Sequence, residues 1–272
     1  MLSLAITTDK ELLAIGTVYS LLSLIILPIY AVIIRILLIN PKYRGNISYQ
    51  LINLINVFHV SQCTCHLLTG TFLIVPGLQE GPKVIMGIIG STANNSFLAV
   101  HVILSVLSVA RMEISYFEVK RSKWPLWMII SLSVGGLYVL IAWLISLITH
   151  NFMLSGPIWL YVETAPFVDA IRNFEVLISV LSLALSYISY SMISYSIYTK
   201  KSQTDKSYQS HSTEIGILIQ ATILTIYMSI LIVFWHYSDS WFQMSCVKYA
   251  ALNSLWILFS HLNLTLLIFT NR

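Results

Sequence analysis

His59, Cys63 and His66 recur at four and three residues within a stretch, Gly45 to Gln79, that holds no Asp, Glu, Lys or Arg. Imidazole nitrogen and sulfur are ligands for zinc or copper, so this trio is the first chemistry the chain offers. It lacks company, because no carboxylate and no second Cys–His set stands at similar depth in another apolar run. No metal and no cofactor are therefore expected. Asn56, Gln62 and Gly70 fall on the same helical stripe. Such a stripe either packs polar groups against neighbouring helices, with Gly allowing close approach, or lines a cavity holding water or ligand. Catalysis finds no support: there is no Ser nucleophile motif, no H-E-x-x-H and no phosphate-binding Gly loop. The chain reads as a non-enzyme.

The elements that must position this stripe are set by composition. The 272 residues are 57% apolar and only 10% charged, with a mean hydropathy of +0.81. A soluble domain carries about 25% charged side chains, so a cytosolic globule is excluded. Charge-free runs cover 12–34, 45–79, 84–110, 124–162, 176–199, 215–238 and 249–271. Each is long enough for a spanning helix, which needs roughly 20 apolar residues. The longest holds one helix and a loop, since His150, Asn151, Gly156 and Pro157 break it too late for a second crossing. Helices are expected at about 12–34, 48–74, 84–110, 126–148, 176–198, 215–237 and 249–270, forming a single domain across 1–272.

Orientation follows from the tendency of Lys and Arg near helix ends to stay cytoplasmic. With the N-terminus outside, the inner segments hold Arg35, Lys42, Arg44, Arg111, Lys120, Arg121, Lys123, Lys200, Lys201, Lys206 and Arg272, eleven in all. The outer segments hold four: Lys10, Lys83, Arg172 and Lys248. The expected arrangement is N-terminus outside and C-terminus inside. The start, through Asp9, Lys10 and Glu11, lacks the basic region of a cleavable signal, so the first helix is expected to insert as its own anchor.

Other spans carry polar faces too. The third offers Asn94, His101, Ser105 and Ser108; the fifth Ser179, Ser182, Ser186 and Ser189; the sixth Gln220 and Tyr227, with Trp235 and His236 near its outer end. The seventh offers Asn253, Trp256, Ser260 and Asn263. Singly each face is explained by packing; together they suggest an internal cavity. No Asp or Glu is expected deep in any span, which argues against an amine ligand held by a buried carboxylate and against an ion-coupled transporter. None of the three Cys is placed for a disulfide between the third helix and the second outer loop.

From Tyr49 the sequence reads YQLINLINVFHVSQCTCHLLTGTF. This resembles the second helix of nematode serpentine chemoreceptors, most closely class T, with Tyr49, Gln62, His66, Gly70 and Phe72 matching. Arg111 stands where that family has an Asn-Arg pair, and the ending WILFSHLNLTLLIFTNR looks like its closing helix, Asn271 and Arg272 included. In the chain His59 replaces the family's helix-two aspartate, and Gln50 its Lys. Ala110 precedes Arg111, and no Pro occurs in the last three helices, so the usual hinge for a switch is altered.

The resemblance implies an all-α seven-transmembrane bundle of rhodopsin-like architecture. It also implies a multi-pass receptor in the plasma membrane or a sensory cilium. Such a receptor detects a small odorant or other external chemical and signals to a heterotrimeric G protein. The lipid bilayer is its other partner, and nucleic acid is not one. The expected cavity residues are Asn95, His101, Gln220, Tyr227 and Trp256, and the expected inner switch residues are Arg111 and Asn263. Two other classes stay open: a transporter or channel, and a non-signalling structural membrane partner.

Overall fold

The computed structural model describes residues 6–79, 83–116, 123–201 and 208–270. Lys120, Arg121, Lys206, Asn271 and Arg272 lie outside the described residues. About 85% of the chain is helical, and seven helices are long and apolar enough to cross a membrane. The spans are α1 (Lys10–Ile39), α3 (Ile47–Ile74), α4 (Lys83–Ser115), α5 (Leu126–Thr149), α6 (Val168–Lys201), α7 (Tyr208–Trp241) and α8 (Cys246–Thr270). A four-residue helix, α2 (Pro41–Arg44), turns the chain between α1 and α3.

Local chemistry starts these helices. The Asp9 carboxylate accepts hydrogen bonds from the Glu11 and Leu12 amides, and the Asn46 side chain accepts one from Ser48, so each caps the orphan donors of a first turn. His150 ends α5 in the left-handed conformation at φ 50°.

Packing runs α1 on α3, α3 on α4, α4 on both α5 and α6, and α7 on α8. The central helix is α4, with 67% of its apolar window buried, against 22% for α1 and 11% for α5. The outward faces of α1 and α5 expose Leu24, Ile25, Val32, Ile130, Val134 and Leu137. Lipid tails cover such a surface at no cost, while backbone groups are satisfied within each helix.

The helices run past the charges that bound the charge-free runs. Arg35 lies inside α1, Arg111 inside α4, Asp239 inside α7 and Lys248 inside α8. The largest difference is α6, which begins at Val168 rather than at 176. Glu175 is thereby carried two turns into the helix and is 6% exposed. The expectation of no buried carboxylate in any span is corrected on this point, because a charge does not end a helix when neighbouring elements supply its partners.

The segment between α5 and α6 also has structure of its own. Strands β1 (Phe152–Ser155) and β2 (Ile158–Tyr161) pair antiparallel, Phe152 opposite Tyr161 and Ser155 opposite Ile158. Gly156, at φ +56°, provides the left-handed residue of the tight turn. This hairpin folds into one end of the bundle. Phe152, Ile158 and Trp159 are fully buried, the Trp159 indole donates to Thr69 Oγ1 at 3.0 Å, and the Tyr19 hydroxyl donates to the Pro157 carbonyl at 2.8 Å.

Candidate functional site: a polar seam and an aromatic cluster beneath the hairpin

The helix-two stripe faces inward, against α1 and α8. His59 Nδ1 lies 2.9 Å from Ser260 Oγ, and the imidazole stacks on Tyr30 with centroids 5.8 Å apart. The Tyr30 hydroxyl donates to the Ser260 carbonyl at 2.7 Å. Further toward the end opposite the hairpin, Asn263 Nδ2 donates to Asn56 Oδ1 at 3.3 Å and lies 3.4 Å from the Tyr30 hydroxyl. One asparagine thus ties three helices. The seam keeps hydrogen-bonding capacity in reserve: among the described residues, both ring nitrogens of His66 are buried without a partner. Among the described residues no three His, Cys, Asp or Glu side chains come together as metal ligands would.

Toward the hairpin the seam gives way to aromatic rings. His66 meets Trp256 edge-on at 4.8 Å, and Trp256 meets Trp235 at 4.9 Å and Phe97 at 5.7 Å. Phe97 in turn meets His101 at 4.5 Å and Phe259 at 6.0 Å, and Phe259 stacks with Tyr227 at 5.9 Å. Side chains of α3, α4, α7 and α8 form one continuous cluster. The Tyr227 hydroxyl donates across to the Leu255 carbonyl at 2.8 Å.

Three of the five expected cavity residues, His101, Tyr227 and Trp256, meet in this cluster. The other two do not. Asn95 donates to the Ser91 carbonyl at 2.8 Å and lines a groove of about 370 Å³ on the flank of the bundle, with Ser61, Thr92, Gly135 and Trp143. Gln220 is buried on α7, two turns nearer the end opposite the hairpin than Tyr227. The polar faces converge on each other and on aromatic rings, so the expected internal cavity is here reduced to about 10 Å³ beside Trp256. Of the two switch residues, Asn263 sits in the seam, while Arg111 lies near the far end of α4, within electrostatic reach of Tyr49 and Tyr190.

Asn94, Phe97, Glu175, Trp235, His236 and Trp256 line the small cavity. Of these, Asn94, Trp235, His236 and Trp256 stand on the polar faces read from the sequence, whereas Phe97 and Glu175 do not. Asn94 Nδ2 donates to Glu175 Oε2 at 3.0 Å, and the Tyr161 hydroxyl of β2 donates to the same oxygen. Burial, and then the neighbouring Glu175 charge, push the Tyr161 phenol well above its usual value, so it stays a donor. His236 Nε2 faces Glu175 Oε1 at 3.9 Å. Successive helix positions diverge by about 100°, so Asn94 turns to the small cavity and Asn95 to the flank groove.

No protein-family model matches the chain, and no curated protein matches it.

Proposed function

We propose that this multi-pass membrane protein is a chemosensory receptor of the nematode serpentine type, most similar to class T. The N-terminus and hairpin face outside, the C-terminus faces the cytoplasm, and the chain sits in the plasma membrane or a sensory cilium. It performs no catalysis. A small external chemical is recognised beneath the hairpin, and a heterotrimeric G protein docks at the opposite, basic end near Arg111. The eleven-to-four split of Lys and Arg supports this orientation.

The observation that carries the reading is the aromatic cluster of Phe97, Trp256, Phe259 and Tyr227. It joins α4, α7 and α8 directly below a lid that closes one end of the bundle. A ligand entering there changes the relative packing of these helices, and the seam through Ser260 and Asn263 passes the change toward the other end. The mechanism is a population shift: the ligand stabilises the bundle state that the G protein binds. Arg111 and Asn263 are the inner switch in this reading.

The test is a surface-expression and signalling assay in a heterologous cell, with a tag at each terminus and a promiscuous G-protein reporter. The expected result is N-terminal staining without permeabilisation and a response to a panel of volatile and water-soluble chemicals that disappears when the G protein is removed. An intracellular N-terminus overturns the orientation. Ion or solute flux that follows its gradient without any G protein overturns the receptor reading in favour of a channel or transporter.

A further inference from the structure

We propose that the cavity bounded by Glu175, Asn94, His236, Trp235, Trp256 and Phe97 is a binding site for a small protonated amine. This names the ligand class for the receptor reading above and rests on it only for the signalling consequence.

The starting point is a carboxyl group in an unusual place. Glu175 is 6% exposed inside a membrane-spanning helix, and a buried carboxylate needs a countercharge or dense hydrogen bonding. Its two protein donors, Asn94 and Tyr161, are neutral and both use Oε2. Among the described residues, Oε1 faces His236 Nε2 at 3.9 Å, which carries charge only when protonated. The cation one turn earlier on α6, Arg172, is committed elsewhere. Arg172 bonds Glu163, lies 3.9 Å from Asp169 and stacks over the Tyr161 ring at 5.3 Å. A carboxyl oxygen is therefore left facing the cavity with no resident cation among the described residues.

The rest of the wall selects the kind of cation. Trp235 and Trp256 meet at 71° and Phe97 and Trp256 at 73°, and all three rings line the same cavity as Glu175. Aromatic faces attract ammonium groups through the ring quadrupole, most strongly where water is excluded. An anion would be repelled by Glu175, and a neutral molecule would gain neither the ion pair nor the cation–π term. The Trp256 indole N–H, buried without a partner, is a spare donor for an oxygen on the same ligand. At about 10 Å³ the space holds roughly one water. An ammonium group enters by displacing the His236 imidazole and parting the two Trp rings. Those rings belong to α7 and α8, so occupancy of the site and the spacing of these helices are coupled.

The test uses the full chain purified in detergent, with trimethylamine, isobutylamine and cyclohexylamine as probes. The uncharged matches are tert-butanol, isobutanol and cyclohexanol. The expected result is a rise in melting temperature of about 5 °C at a hundredfold excess over Kd for at least one amine, and none for its alcohol. Glu175→Gln is expected to weaken that binding about 30-fold or more, while Glu175→Asp keeps most of it. Trp235→Leu, which leaves the carboxyl alone, is expected to weaken trimethylamine about fivefold and covers the case in which Glu175→Gln does not fold. Equal shifts from amine and alcohol, amine binding that survives Glu175→Gln, or no shift up to about 10 mM amine each overturn the site. The reporter cell separates the two readings. Glu175-dependent amine binding with no G-protein response keeps the site and sinks the receptor; a G-protein response to neutral or acidic chemicals, unchanged by Glu175→Gln, does the reverse.

Discussion

Gly16 of α1 and Gly70 of α3 meet backbone to backbone. A Cβ on Gly70 would lie 2.6 Å from the Gly16 carbonyl oxygen, and one on Gly16 would lie 2.8 Å from the Gly70 carbonyl oxygen. Between membrane helices the driving force is packing rather than water exclusion, so close approach through small residues sets the interface. Gly70→Ala must also displace the Ser20 backbone nitrogen, 2.9 Å away. The variant is expected to lose about 1–3 kcal/mol, read as a lower melting temperature of the detergent-solubilised protein. Gly136→Ala is the control: nothing lies within 4 Å of a Cβ there, and its melting temperature should match or slightly exceed the parent's. Equal behaviour of the two variants would mean that α1 and α3 do not touch at this point.

The hairpin is held without a disulfide, since Cys63, Cys65 and Cys246 are all free. Its anchor is Trp159, whose ring fills the space over Gly90, where a Cβ would stand 2.5 Å from Cζ3. Trp159→Ala is expected to cost about 3–5 kcal/mol and to raise amide exchange across 152–161. Thr69→Val keeps the shape but leaves the indole N–H unpaired in a buried site, a cost of about 1–3 kcal/mol. Mass-spectrometric hydrogen exchange checks both, with the Thr69 variant giving the smaller, hairpin-confined effect. Parent-like protection in the Trp159 variant would show that the strands hold the lid without it.

Trp256 distinguishes a packing role from a polar one. Its ring contacts Phe97, His66 and Trp235, while its indole nitrogen has no partner. Trp256→Phe keeps most ring contacts and removes the orphan donor, so it should cost less than about 1.5 kcal/mol. Trp256→Ala opens the cluster and should cost about 3–5 kcal/mol. Thermal melts of the two variants decide. Should Phe prove as damaging as Ala, the nitrogen has a partner in the working protein.

What the sequence discloses and what it hides have one cause. The spans were legible because charges are excluded from hydrocarbon, so the gaps between charges trace the helices. The same rule hid Glu175. Its donors, Tyr161 and Asn94, lie 14 and 81 residues away and come from a strand and another helix. No local pattern announces that pairing, so the charge looked like a boundary. Gly70 stands on a polar stripe, whereas Gly16 lies in a helix for which no polar face was read and shows its purpose only against its partner. The hairpin stayed hidden inside the expected loop, because FMLS and IWLY are short apolar runs whose pairing across Gly156 and Pro157 shows only in the fold.

Asn263 and Asn56 should act as a unit. Their side chains bond at 3.3 Å, both are buried, and Tyr30 joins them from α1. Asn263→Leu strands the Asn56 amide oxygen in the bundle, where an unpaired polar group costs about 1–3 kcal/mol, while Asn56→Leu leaves Asn263 only the Tyr30 hydroxyl at 3.4 Å. Replacing both removes the stranded groups together, so the double variant should lose less than the sum of the singles. Polar pairs between membrane helices couple by about 0.6 kcal/mol, reaching roughly 1.7, and a double-mutant cycle in detergent unfolding measures this directly. If Asn263 is also a switch, Asn263→Leu shifts basal G-protein signalling relative to surface-matched parent, and the double variant shifts it back part of the way. A coupling near zero with unchanged basal signalling would reduce the pair to two independent fillers of the α3–α8 seam.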